Sequence, residues 1–412
     1  MSVEPVSERI NLAYYSGGSL FKTFVQIVAN LIMFRYVNPA DMGVFNSFML
    51  FQTYALLAQA GIINGLNREL PYTLGKGDGE KALLLISTAL IFSIASCILI
   101  IVAGSILYVK MGDSNISRVT IITVIILTVF RFYESYLNSI HRAYRAFAKL
   151  GKIYILRGLI GIITIPLVIL FHYEGYIFRI ILATTLMLLV MHLWRPVQYE
   201  YKFRMQTLLE LMKTGLPIFA LAYFYQIAVS SDRLLLAKMY GAESVGFYSF
   251  GLMAYSAFKV LSISLAEYIY PKFSYAIGNG EPLSVLWGHA WRANVIMFVV
   301  MLAIALLAYF LIPWITETFF AKYSPGINSA RVLLFAAVFS GSSVGSNLIL
   351  SLKRWRPWSI LQVGSGIVTF VAIYGGLAFF NDPLVGASVG VFVGQGFYFF
   401  SSNIFTYMVT HG

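Results

Sequence analysis

Helical spacing turns a few polar residues of this chain into lines of chemistry. Ser19, Lys22, Gln26 and Asn30 fall at i, i+3, i+7 and i+11, a single polar stripe down an otherwise apolar segment. Gln226, Ser230 and Arg233 repeat the idea at i, i+4 and i+7, with Asp232 as the neighbouring acid. Arg131, Glu134 and Asn138 stand at i, i+3 and i+7, a spacing that predicts an Arg131–Glu134 ion pair. A pair that opens when a substrate or a proton arrives is the sharper reading of the same residues. Lys259 sits near the middle of another apolar run, with Glu267 two turns further along the same face. The cations suit anion recognition, since Arg and Lys are the side chains that hold phosphate or pyrophosphate. The two glutamates are the acids placed to titrate.

The segments that carry these residues are too apolar for water. The chain of 412 residues is 59% hydrophobic and only 11% charged, with a net charge of +12. Soluble domains are nearer about 25% charged. Apolar runs long enough to cross roughly 30 Å of hydrocarbon as helix recur along the whole length. Helices are expected near 14–36, 43–66, 82–109, 117–140, 153–172, 175–194, 214–238, 246–270, 287–312, 328–351, 358–380 and 384–408, about twelve in all. No extended alternation of apolar and polar residues competes, so the fold class is an all-α polytopic membrane protein rather than a barrel.

That setting sharpens the chemistry. A charge at mid-membrane costs about 2.5–3.5 kcal/mol on insertion scales, so charges that persist there face a bundle interior or a wet cavity. Gln26 and Asn30 also fit hydrogen bonding between helices, whereas Lys22 needs an anion or water. For Arg233, snorkelling to the nearby outer surface stands beside a cavity role. Lys259 is out of easy snorkelling reach and is the better cavity candidate. Arg157, Arg179, Arg292 and Arg331 lie near expected helix ends, where snorkelling accounts for most; Arg292 is retained as a candidate. Gly386, Gly390 and Gly394 read as a close-packing face.

Basic residues on alternate loops set the orientation. Arg68, Lys76 and Lys81, then Arg142, Arg145, Lys149 and Lys152, then Arg195, Lys202, Arg204 and Lys213, then Lys272, with Lys353, Arg354 and Arg356, outweigh Lys110, Arg118 and Lys322 on the other side. The richer set is cytoplasmic, and both termini fall on that side. The first residues lack a basic stretch and cleavage site, so the first helix is expected to be retained. The single Cys97 and the scattered histidines offer no metal cluster, and no phosphate-cradling glycine loop is present, so neither cofactor nor metal is expected. Nothing points to nucleic acid.

The chain is also duplicated. Arg35-Tyr36-Val37-Asn38-Pro39-Ala40-Asp41-Met42-Gly43-Val44-Phe45 aligns without a gap on the stretch from Lys238, 203 positions later, placing Gly43 on Gly246 and Phe45 on Tyr248. Leu70-Pro71 before Gly79-Glu80 is answered by Tyr270-Pro271 before Gly280-Glu281. The expected organisation is therefore a six-helix lobe at 1–200, a cytoplasmic linker at 201–213 and a second six-helix lobe at 214–412, related as parallel repeats.

These residues carry a resemblance. Gly17-Gly18-Ser19-Leu20 through Asn38-Pro39-Ala40-Asp41-Met42-Gly43-Val44-Phe45, Gly215-Leu216-Pro217, and Ser231-Asp232-Arg233 through Gly246-Phe247-Tyr248-Ser249 are similar to the polysaccharide-transport branch of the multidrug, oligosaccharidyl-lipid and polysaccharide exporter superfamily. The chain most resembles O-antigen flippases. The resemblance implies a V-shaped pair of lobes around a central cavity in a bacterial inner membrane. It also implies alternating access that carries an undecaprenyl-pyrophosphate-linked oligosaccharide from the cytoplasmic to the periplasmic leaflet. On that analogy Lys22, Arg233, Lys259 and Arg292 hold the pyrophosphate and acidic sugars, and Gln26, Asn30, Gln226 and Ser230 line the cavity. Arg131, Glu134, Asp232 and Glu267 would serve as ion pairs or in proton coupling. Membrane lipids, a polysaccharide polymerase and a chain-length regulator are the implied partners.

Rival readings make different demands. A cation-coupled drug exporter of the same superfamily would carry an acid in the early helices, where this chain has Lys22. The peptidoglycan lipid flippase has helices beyond twelve. A membrane polymerase or ligase would present a large outside loop with catalytic side chains, and none is long enough here.

Overall fold

In hydrocarbon a backbone N–H or C=O finds a partner only inside its own helix, so each long apolar run must coil. A computed structural model describes the backbone of residues 5–111, 114–198, 201–278, 280–352 and 354–411; side chains of 5–13 and of several residues between 260 and 278, Glu267 among them, lie outside the described residues. The helices are α1 (Pro5–Tyr36), α2 (Pro39–Ala55), α3 (Ile62–Gly75), α4 (Gly79–Met111), α5 (Asn115–Ala143), α6 (Phe147–Ile163) and α7 (Ile165–Leu193). They continue as α8 (Met205–Tyr240), α9 (Ala242–Gly278), α10 (Leu283–Phe319), α11 (Ile327–Gly341), α12 (Asn347–Ser351), α13 (Trp355–Phe379) and α14 (Pro383–His411). No strand occurs among the described residues. Nine helical segments among the described residues are long and apolar enough to cross a membrane. The remaining expected spans are accounted for by the interrupted α2–α3 pair, by α9, and by α6 with the first turns of α7, which kinks at His172 (φ 50°). The protein is a multi-pass, all-helical membrane protein of the expected class.

The chain divides into two compact units: Met1–Val37 with Phe48–Ala220, and Asn38–Ser47 with Leu221–Gly412. This departs from the sequence expectation in two places. Residues 38–47, the start of α2, belong with the second unit. The stretch 201–213 is largely not a linker, since α8 begins at Met205 and its first turns are packed in the first unit.

In the first unit the span expected at 43–66 is broken. A 3-10 turn (Leu56–Gln59) and two left-handed residues, Ala60 (φ 46°) and Gly61 (φ 74°), separate α2 from α3. The reason is a close crossing with α8. A Cβ on Gly61 would lie 2.6 Å from the Gly215 carbonyl carbon, and one on Gly65 2.2 Å from the Leu211 oxygen. Only bare backbone fits, and small residues at such crossings replace the hydrophobic drive that lipid cannot supply. Leu66, Leu70, Leu85, Ile86, Leu137 and Met187 form the buried core beside this crossing.

The second unit contains the duplicated hairpin, and the duplication is visible in its contacts. A Cβ on Gly43 would sit 1.8 Å from the Ala242 carbonyl oxygen, and one on Gly246 would sit 1.8 Å from the Pro39 carbonyl oxygen. The Asn46 amide donates to Ser249 Oγ at 2.7 Å, again joining repeat-equivalent positions. The two copies of the motif thus cross each other about a local two-fold relation. Helix α11 ends at Gly341 in the interior, and Asn294 of α10 repairs the break: its Oδ1 accepts from the Gly345 N–H at 2.7 Å while its Nδ2 donates to Asn403 Oδ1 at 2.8 Å. The Gly386–Gly394 face of α14 meets α13: a Cβ on Gly386 would lie 2.3 Å from the Gly376 oxygen.

Candidate functional site: a cationic cluster in the first unit

Four helices of the first unit bring charge together. The face of α5 carrying Arg131, Glu134 and Asn138 continues one turn further to Arg142. Helix α6 lies against α1, and Gly18 and Gly151 set the distance: a Cβ on Gly18 would be 2.4 Å from the Gly151 oxygen. This approach puts the Lys22 Nζ 4.4 Å from the centre of the Tyr154 ring, a cation–π contact that draws on the negative face of the ring. Tyr15 packs on the same ring at 5.7 Å between centroids. The Tyr154 hydroxyl donates to Asn138 Oδ1 at 3.1 Å, and Arg142 reaches the hydroxyls of Tyr15 and Tyr154.

Glu134 is the acid at the centre, 7% exposed. Arg131 Nη1 reaches its Oε2 at 3.4 Å, the contact that the i, i+3 spacing predicts. Arg157 Nη1 reaches its Oε1 at 3.3 Å and also lies 3.2 Å from Met187 Sδ of α7. Arg179 of α7 is 4% exposed and donates through Nε and Nη2 to the Gly161 carbonyl, each at 3.3 Å. Snorkelling is therefore not what Arg157 and Arg179 do; both turn into the unit, because the glycine-rich face of α6 leaves room for them. Arg131 and Arg157 thus share the single charge of Glu134, with Lys22 over Tyr154 on the neighbouring helix, and among the described residues these cations exceed the acids they meet, an excess that an anion would neutralise.

The remaining expected site residues are distributed differently. Gln26 Nε2 donates to Asn30 Oδ1 at 2.9 Å, so the polar stripe of α1 bonds within itself, with Gln26 exposed. Arg233, Lys259 and Arg292 lie in the second unit rather than with Lys22. Asp232 is 3% exposed and accepts the Tyr248 hydroxyl at 2.9 Å and the Arg233 N–H at 2.7 Å, while Arg233 Nε lies 3.6 Å away. Asp232 is a buried structural acceptor. Lys259 lies over the Tyr255 ring at 5.3 Å. Arg292 is exposed on α10, and Gln226 is exposed on α8. Ser230 does not line a cavity: it is fully buried and its hydroxyl back-bonds to the Ile227 carbonyl at 3.0 Å. Arg331 is held by the Tyr309 carbonyl at 3.1 Å and lies over the Tyr309 ring at 4.4 Å. Glu267 lies outside the described residues.

Tyr15 and Tyr154 were not singled out by sequence, and Arg142, Arg157 and Arg179 were read there as loop or helix-end cations rather than as site residues. Tyr154 and Arg157 at i, i+3, bracketed by Gly151 and Gly158, were the available signal. Among the described residues no three His, Cys, Asp or Glu side chains converge on a metal position.

The fold defines a class. The structure superposes on an inward-facing multidrug resistance MATE family transporter of the MOP superfamily with a TM-score of 0.75 at 16% identity, covering 94% of each chain. An outward-facing MATE transporter gives 0.70 at 15% identity, covering 100% of this chain and 98% of that one. A MOP superfamily transporter from Pyrococcus furiosus Vc1 (DSM3638), described by the reverse polarity of its binding pocket and a suggested different function, gives 0.68 at 17%, covering 100% and 98%. This is the fold of MOP superfamily transporters. The chain itself belongs to the family described as polysaccharide biosynthesis protein, whose model matches residues 32–328. No curated protein matches the sequence.

Proposed function

We propose that this protein is a flippase that moves an undecaprenyl-pyrophosphate-linked oligosaccharide, an O-antigen or related surface repeat unit, from the cytoplasmic to the periplasmic leaflet by alternating access. One observation carries the reading: within membrane-spanning helices of the first unit, two arginines share one buried carboxylate, and Lys22 stands nearby over the Tyr154 ring, on which Tyr15 packs. Cargo with phosphate charge is what such an excess recognises, and attraction there is several times stronger than in bulk water. Membership of a polysaccharide biosynthesis family supports a glycan cargo, and the reversed pocket polarity of the Pyrococcus transporter supports the departure from cationic drugs. The protein would act without chemistry of its own, as a carrier and not an enzyme. It would reside in a bacterial inner membrane with both termini cytoplasmic, alongside a polysaccharide polymerase and chain-length regulator. In the first unit Lys22 and the half-exposed Arg131 would contact the cargo's charge, and Lys259, Arg233 and Arg292 are the second unit's own candidate contacts.

The test is the leaflet location of lipid-linked repeat units in cells lacking the protein, probed with an added glycan-modifying enzyme confined to the periplasm. Repeat units that accumulate intact and inaccessible are the expected result. Repeat units that are accessible yet unpolymerised overturn the reading in favour of a later step. An absence of accumulation with raised drug sensitivity overturns it in favour of drug export.

A further inference from the structure

The geometry around Glu134 is that of a position held rather than a bond made to last. Two arginines reach the carboxylate through one nitrogen each, at 3.4 Å for Arg131 and 3.3 Å for Arg157. Charge-assisted bonds normally close to about 2.7–2.9 Å, and arginine pairs best through two parallel N–H donors. Neither arginine uses its fork. The side chains of Arg131 and Arg157 retain 54% and 28% exposure, against 9% for Glu134. The acid is buried while the two guanidiniums that reach it stay partly exposed.

We infer that Glu134 is a resident stand-in for the cargo's phosphate: it keeps Arg131 and Arg157 charge-balanced while the site is empty and yields them when a diphosphate arrives. This rests on the flippase reading. Arginines left uncompensated inside the membrane are costly, so some anion must accompany them in the empty state. A carboxylate with two oxygens and one negative charge satisfies each guanidinium only partly. A phosphate group offers more oxygens and more charge, and engages both forks at once. The neighbouring charges favour the exchange: Lys22 of α1 lies over Tyr154, Arg142 of α5 reaches Tyr15 and Tyr154, and Arg179 of α7 is committed to Gly161. Glu134 would thereby set specificity, because an uncharged or cationic ligand cannot displace it.

The inference is tested with the full-length protein in detergent, using undecaprenyl diphosphate as the probe and a double-mutant cycle as the readout. Glu134→Gln keeps the shape and removes the competing charge, and it is expected to tighten binding roughly tenfold. Arg157→Ala is expected to weaken binding roughly tenfold, and adding Glu134→Gln to it should restore no more than about twofold. Thermal unfolding of each variant reports folding, and Glu134→Asp, which withdraws the carboxylate by one methylene, gives a smaller tightening should Glu134→Gln fail to fold. Unchanged or weaker binding in a folded Glu134→Gln variant, with the wild type binding, overturns the inference alone. The same tenfold gain in the Arg157→Ala background also overturns it. No binding by the wild type overturns the flippase reading together with it.

Discussion

At the scale of single residues, the flippase proposal sets charges expected to meet cargo apart from charges at the ends of helices. Lys22→Ala and Lys259→Ala are expected to abolish transport while the protein still inserts, whereas Arg118→Ala, in the exposed first turn of α5, is expected to be neutral; surface polysaccharide on cells reads all three. Normal polysaccharide from both cavity variants would exclude the site. Arg157→Lys keeps the charge but loses the planar fork, so it should retain less than about a tenth of wild-type transport if bidentate recognition is at stake. Sequence spacing reached Lys22 and the Arg131–Glu134 pair because both follow from positions along one helix. It could not reach Arg157 or Arg179, because their partners lie on other helices, and a charge near a helix end is equally compatible with a lipid head group. Ser230 misled for a related reason: a serine on a polar stripe can satisfy its hydroxyl on its own helix, which spacing alone does not reveal.

Elements are held by bare backbone and by a few polar repairs. The Asn294 amide serves the α11 break and Asn403 together, so Asn294→Leu leaves a buried N–H and a buried amide unsatisfied, at about 1–3 kcal/mol apiece. A lower unfolding temperature in detergent checks this, and an unchanged one would show that the break does not depend on Asn294. Gly43→Val and Gly246→Val each drive side-chain atoms into the facing backbone, and either one alone should abolish accumulation of folded protein in the membrane. The existence, order and approximate bounds of the spans were legible because length and apolarity decide them. The interruption at Leu56–Gly61 was not, since a run of Leu, Ala and Gln is as compatible with continuous helix; the break answers to Gly215 and Leu211 far along the chain.

For the whole molecule, the asymmetry of Lys and Arg across alternate loops predicts a cytoplasmic C-terminus, so a green fluorescent protein fused after Gly412 should fluoresce and an alkaline phosphatase fused there should be inactive. The opposite pattern would invert the proposed direction of transport. The duplication told the sequence reader that two similar halves exist, yet not where each ends, because the start of α2 belongs with the second unit. That exchange bears on how the protein is made. Residues 38–47 leave the ribosome 203 residues before the hairpin they must meet. At synthesis rates of about 5–20 residues per second, that leaves roughly 10–40 s during which the nascent first half must be held in the membrane with its crossing surface uncovered. Any factor that attends this protein during its birth has that interval, and that glycine-lined surface, to guard.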